Sequence, residues 1–332
     1  MTTRRTILYG TQNLFCTFAV IFALALALAF TACNSGYDSL QNWTTVADST
    51  FGTSWIDAIA YGDGKFVAGG QFGKMAYSDD GESWTAVSNS TFDTTAIRAI
   101  AYGDGRFVAV GQSGKMAYSD DGESWTAVSN STFDTTAIRA IAYGNGRFVA
   151  VGSRGISKMA YSTDNGETWT AVSNSGSDGY VIAYGNNRFV TTRNDEMAYS
   201  SDGETWTAVA DSTFGTSTIS AIAYGNKRFV AGSSYGEMAY STDGETWTTV
   251  ADSTFGTATI SAIAYGNKRF VAVGTESSFS NYTGKMAYSA DGISWTAVSD
   301  STFGNCEISA IAYGKKRFVA VGGDGKIAYA DR

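Results

Sequence analysis

"GKMAYSDDGESWTAV", Gly73–Val87, recurs without change as Gly114–Val128, and looser copies continue to the C-terminus. Self-similarity at a fixed period is the first mark of a repeat architecture. Trp43, Trp84, Trp125, Trp169, Trp206, Trp247 and Trp295 mark seven copies, spaced 41, 41, 44, 37, 41 and 48 residues apart. Trp55 lies outside this series. Each unit has the same order: an apolar stretch like "AIRAIAY", a glycine turn, "RFVAVG", a second glycine-rich loop, "KMAYS", an acidic turn and "WTAV".

These segments predict four short strands per unit. "RFVAVG" and "WTAV" mix β-branched and aromatic residues between turn residues. The "GDG" and "GNG" turns supply positive φ for a tight hairpin. The first strand is almost continuously apolar, as expected when both faces are covered. No helical period appears beyond the N-terminal segment. Four strands every 40 or so residues make a β-propeller blade. The last copy stops at "KIAYADR" without a final strand, and the first begins with the missing piece, "NWTTV" (Asn42–Val46). The expected fold is therefore all-β: one seven-bladed propeller over residues 42–332, its last blade completed by the N-terminal strand.

Residues 1–33 read as an address rather than as fold. Arg4 and Arg5 are followed by an apolar run, Leu14–Phe30, and then by small residues before Cys33. This is the pattern of a secretory signal. "AFTACNSG" resembles a bacterial lipobox, which implies lipidation of Cys33, export, and membrane contact through the lipid alone. Cleavage after Ala29, or an uncleaved anchor, are the alternatives. Residues 34–41 are expected as a short linker.

Composition removes several classes of function. The chain has no histidine, which removes the commonest general base and metal ligand. Its formal charge is −8 with no basic tract, so nucleic acid is not an expected partner. Beyond Cys33 only Cys306 remains, so no disulfide framework supports the domain. Neither a nucleotide-binding nor a metal motif appears, and no cofactor is expected.

The acidic turn is "SDDGESW" at Ser78–Trp84 and "STDNGETW" at Ser162–Trp169. The second resembles the Asp-box, Ser-x-Asp-x-Gly-x-Thr-Trp, of sialidases, sortilin-type receptors, photosystem II assembly factors and some glucan hydrolases. The other five complete copies lack one residue between Asp and Gly. The resemblance implies a propeller whose acidic turns sit at the outer rim, away from any active centre. Asp80, Asp121, Asp164, Asp202, Asp243 and Asp291 are thus expected to be structural, each carboxylate accepting N–H bonds from its own turn. The seven repeat tryptophans are expected to fill space between sheets. Burying one indole removes about 150–250 Å² from water.

Sialidases require an arginine triad, a tyrosine nucleophile paired with a glutamate, an acidic aspartate and an early "RIP" motif. This chain has no proline, and its inner strands offer two arginines. A glucan hydrolase would need two converging carboxylates. The expected function is that of a non-catalytic binding or scaffold module, with a glycoside hydrolase and a structural or antigenic surface protein as alternatives.

Candidate binding residues lie where the copies differ. The residue opening each innermost strand varies: Asp57, Arg98, Arg139, Tyr180, Ser220, Ser261 and Ser309. In a propeller these would ring the channel mouth, where two arginines between an aspartate and a tyrosine could hold a carboxylate or sulfate. The longest insertion, Gly274–Gly284, adds Phe279 and Tyr282, suited to sugar or protein contacts. On the opposite face, Lys65, Arg106, Arg147, Arg188, Arg228, Arg269 and Arg317 are expected in surface ion pairs. The ligand expected is a glycan or a protein, bound by a monomer.

Overall fold

The computed structural model describes residues 39–152, 158–173, 179–193, 196–278 and 281–331. The signal-like segment, Cys33, Phe279 and most of the expected linker lie outside these residues. Among those described, the strands form seven four-stranded antiparallel sheets, each a blade of a propeller.

Blade I comprises Ile56–Gly62, Lys65–Gly70, Met75–Ser78 and Thr85–Ala86. Blades II to VI repeat this order, with inner strands Ile97–Gly103, Ile138–Gly144, Ile182–Gly185, Ile219–Gly225 and Thr259–Gly266. Blade VII holds Ile308–Gly314, Arg317–Gly322 and Ile327–Asp331, and its outermost strand is Thr44–Thr45. Thr44 pairs with Tyr329 and Thr45 with Ala328. The ring thus closes as the repeat boundaries require. The outermost strands pair over only two residues and are exposed, which leaves little edge for another chain to extend.

Ser39–Gln41, expected as linker, forms a 3-10 turn that packs on the ring. Leu40 is fully buried beside Met286 and Phe318. The Gln41 side chain donates to Ala297 O (3.0 Å) and accepts from Ser299 N (3.0 Å).

The core is a set of inter-blade layers. Trp84 packs with Phe51, Phe66, Val319, Val321 and Ile327, and so fills space between blades VII and I. The middle strands are buried on both faces, with Phe66, Val67 and Ala68 at 0% exposure. Within each blade the inner-strand tyrosine tilts against the phenylalanine of the next strand, Tyr61 on Phe66 with centroids 4.7 Å apart.

The hairpins between first and second strands depart from the glycine rule. Asp63 and Gly64 both take positive φ (44° and 76°), as a two-residue primed turn requires. In blades IV to VII the same positions are filled by Asn186–Asn187, Asn226–Lys227, Asn267–Lys268 and Lys315–Lys316, all at positive φ. The strand pairing on either side, for example Gly314 to Arg317, imposes the conformation that local preference resists.

Candidate functional site

Antiparallel order places the first hairpin and the acidic turn on one face of the ring, and the 2–3 loops and inter-blade linkers on the other. The two faces differ in kind.

The acidic-turn face is built from repeated clasps. Ser78 Oγ donates to Asp80 Oδ1 (3.0 Å) and accepts from Gly81 N (2.7 Å); Asp80 Oδ1 also accepts from Glu82 N and Ser83 N, both at 2.8 Å. Partial burial pushes the Asp80 carboxyl up, but the N–H groups of Ser83 and Glu82 outweigh it and hold it below the ordinary range. Asp121, Asp164, Asp202, Asp243 and Asp291 are lowered in the same way, by hydrogen bonds within their own turns. The longer turn at Asp164 reaches Thr168 instead, through both N–H (2.9 Å) and hydroxyl. Hairpin cations then cross to the next blade, Lys65, Arg106, Arg147, Arg188 and Arg317 on to a glutamate and Arg228 on to the Asp291 carbonyl. Arg106 bonds Glu167 (2.8 Å), Arg147 bonds Glu204 (2.5 Å), and Arg317 closes the circle on Glu82 (2.6 Å). The same cations lie over third-strand tyrosines, Arg106 4.6 Å from the Tyr118 centroid. The charged groups here serve mainly to hold turns and to join blades.

The opposite face carries the variable residues. In six blades the inner strand is bulged at its second position, between Ile56 and Ala58, Ile97 and Ala99, Ile138 and Ala140, Ile219 and Ala221, Ile260 and Ala262, and Ile308 and Ala310. The residues in these bulges are Asp57, Arg98, Arg139, Ser220, Ser261 and Ser309. A bulge re-aims the side chain it carries, and no feature of residue order had indicated one.

Blade IV reaches the same result differently. Its inner strand starts late, at Ile182, and its second strand reads "RFVTTR" where most others read "RFVAVG". The Thr192 hydroxyl accepts from Tyr180 N (3.0 Å), and Thr191 Oγ1 donates to Val181 O (2.7 Å). Two fully buried threonines thus replace the missing ladder and fix Tyr180 at the mouth. The odd "TT" was the legible signal for this role.

Asp57, Arg98, Arg139, Tyr180 and Ser220 line one cavity of about 240 Å³, together with Val181, Thr218 and Ile219. Arg98 Nη1 lies 3.2 Å from Asp57 Oδ2, the arginine side chain 33% exposed and the aspartate 12%. Arg139 stacks over Tyr180, 5.6 Å from the ring centroid. Burial pushes the Asp57 carboxyl up and Arg98 opposes it. Glu307, which precedes the blade VII inner strand, is raised by burial and by the charge of Asp57; it had not been singled out from sequence. The mouth therefore has an acidic side at the VII–I junction and a cationic side at blades II and III. Ser220 Oγ donates to Ile260 O (2.6 Å) in the next blade. Ser261 and Ser309 lie outside the cavity lining.

The described residues of the Gly274–Gly284 insertion extend the second and third strands of blade VI, to Ser278 and from Asn281. Thr275 pairs with Gly284, Glu276 with Thr283 and Ser277 with Tyr282. Tyr282 is exposed (44%) and does not line the cavity. Among the described residues, no group of three His, Cys, Asp or Glu side chains is placed to hold a metal ion, and no helix is long and apolar enough to cross a membrane.

Residues 42–178 match the family described as the DUF6242 beta propeller domain. The chain is a β-propeller by sequence as well as by geometry. No curated protein sequence matches it. Among solved structures, YCF48 bound to D1 peptide is similar at 15% identity and a TM-score of 0.68, over 88% of this chain and 94% of that one. YCF48 from Cyanidioschyzon merolae is similar at 17% identity and 0.65, over 87% and 98%. A catalytically inactive virginiamycin B lyase from Staphylococcus aureus, crystallised with quinupristin, is similar at 14% identity and 0.69, over 88% and 99%. At these identities the likeness is one of fold.

Proposed function

We propose that this chain is an exported, lipid-anchored, non-catalytic propeller of the Asp-box type, a monomer that binds an anionic ligand at the mouth of its channel. The observation that carries the reading is the placement of Arg98 and Arg139, from successive blades, on one cavity with Asp57 and Tyr180. Asp57 aligns Arg98 by an ion pair, and Tyr180 supports the Arg139 guanidinium from its face. A carboxylate or sulfate entering between them would gain charge-assisted hydrogen bonds, which are the stronger kind. The cavity suits one acidic side chain, a chain terminus or a single sugar ring. Its one lining carboxyl, Asp57, is paired with Arg98, which suits positioning better than acid–base chemistry. The D1 peptide held by YCF48 supports a polypeptide ligand.

The test is calorimetric titration of the full chain, purified in mild detergent, with short peptides bearing a terminal or side-chain carboxylate and with acidic oligosaccharides. Saturable binding that falls about tenfold or more in Arg139→Gln is the expected result. A panel without any saturable ligand would sink the reading and favour a surface coat built from copied blades.

A further inference from the structure

Among the described residues, the exposed large apolar side chains are Phe72 (63%), Tyr235 (63%) and Tyr282 (44%). Phe72 and Tyr235 lie between second and third strands of blades I and V, and Tyr282 at the start of the third strand of blade VI, all at the end of the blade that forms the face holding the mouth cavity. The clasped face exposes none. Chance scatter of surface apolar residues needs no explanation, but segregation to one face around a charged cavity does.

Phe72 adds a second, independent observation. It takes φ 58° and ψ 27°, the left-handed region that bulky residues resist. The equivalent tips in blades II and VII adopt the same conformation with Ser113 and Asp324, small polar residues that tolerate it better. Blade I therefore places an exposed phenylalanine where both folding and solubility disfavour one. Strained positions of this sort concentrate at ligand clamps.

We infer that Phe72, Tyr235 and Tyr282 form an aromatic rim on which a polypeptide docks, with an acidic side chain or chain terminus of that polypeptide seated on Arg98 and Arg139. The inference rests on the mouth reading proposed above and names its partner class. Charge complementarity fixes one point of the partner, since the cationic side of the mouth asks for a carboxylate. The rim fixes the rest. Tyr235 and Tyr282 stand on adjacent blades V and VI and Phe72 on blade I, with blade VII between, so the rim follows four successive blades, a course that an extended peptide or a protein surface of ordinary interface size can follow. Tyrosine and phenylalanine are the side chains that protein interfaces favour at their anchors.

The experiment selects ligands from a library of random twelve-residue peptides with free C-termini, displayed against the full chain in detergent, and measures selected peptides by titration. The expected peptides combine a carboxylate with apolar residues. Their affinity falls about tenfold in the Phe72→Ser/Tyr235→Ser double variant and by a similar factor in Arg139→Gln. Phe72→Gly separates docking from folding: it weakens binding yet raises the melting temperature by about 2 °C, because glycine accepts the left-handed backbone. Peptides that lose affinity in Arg139→Gln but not in the rim variants overturn the rim and leave the mouth site standing. Peptides indifferent to both overturn both readings. Selective binding of acidic oligosaccharides without peptides, or concentration-dependent dimerisation abolished by the rim variants, overturns the polypeptide partner in favour of a glycan or a second copy. A fall in melting temperature for Phe72→Gly, or a selection that enriches nothing, counts against the rim.

Discussion

The Tyr61 ring occupies the space that a side chain on Gly314 would need: a Cβ placed there would come closer than 3.0 Å to the ring, nearer than real Cβ atoms approach. The same contact joins Gly62 to Tyr102, Gly103 to Tyr143, Gly144 to Tyr184, Gly185 to Tyr224, Gly225 to Tyr265 and Gly266 to Tyr313. Each inner strand thus ends on a glycine covered by the tyrosine of the next blade, and Gly314 with Tyr61 joins the last blade to the first. The "AYG" of every repeat is an inter-blade joint.

Gly314→Ala should therefore destabilise the fold by about 3 kcal/mol, the upper range for overpacking a well-filled site. Tyr61→Ala on the same background should recover part of that loss, since the two residues share one contact. Urea unfolding of the two single variants and the double variant measures the coupling; strict additivity would refute the joint.

Acid should loosen the ring through its turns. Asp80 and its five equivalents are held below the ordinary value of 3.8. Because the folded value is lower than the unfolded one, their stabilisation is present above the ordinary aspartate range. It is lost as pH falls through the folded values. Unfolding midpoints should hold steady near neutrality and drop steeply below about pH 4. Asp80→Asn should flatten the slope by about one-sixth, on the premise that the six turns contribute equally.

Arg106 bonds Asp120 (2.5 Å) and Glu167 (2.8 Å) and covers the Tyr118 ring. Both carboxylates are more than half exposed, so the ion pairs should contribute little, while the ring contact should contribute about 0.5–1 kcal/mol. Arg106→Met should cost less than Arg106→Ala, and the difference should persist at high salt. A loss confined to low salt would assign the stabilisation to the ion pairs instead.

Lys315 and Lys316 occupy both positive-φ positions of the blade VII hairpin, at 46° and 66°. Replacing the pair by Asn–Gly, the preferred sequence for such a turn, should stabilise the protein by about 1 kcal/mol. Chemical denaturation of this variant beside the parent is the check, and an unchanged midpoint would mean that the lysines carry no strain.

Deleting residues 1–47 removes Thr44–Thr45 and the Leu40 anchor, leaving Ile327–Asp331 as an open edge. The truncated chain should associate with itself, as unpaired edges do. A synthetic peptide of residues 39–48 should restore a monodisperse species by light scattering. A truncated chain that stays monodisperse without the peptide would show that closure does not depend on this strand.

Residue order alone determined the number of blades, the four strands in each, and the closure by Asn42–Val46. These follow from local chemistry: alternation of apolar runs with turn residues, repeated in register. Residue order also marked the variable positions Asp57, Arg98, Arg139 and Tyr180, because a repeat shows its own departures. It did not reveal the bulges that aim these side chains, the threonine pair that holds Tyr180, or Glu307 beside Asp57. It did not show that the insertion at Tyr282 continues the strand pairing, and it left open which of seven mouth residues share one cavity. Those outcomes depend on contacts between blades some forty residues apart, where packing against a neighbour, rather than the preference of any short segment, decides where a side chain points. The Tyr61–Gly314 joint is the plainest case: neither residue is unusual in its own repeat, and only the closed circle brings the first blade's tyrosine onto the last blade's glycine.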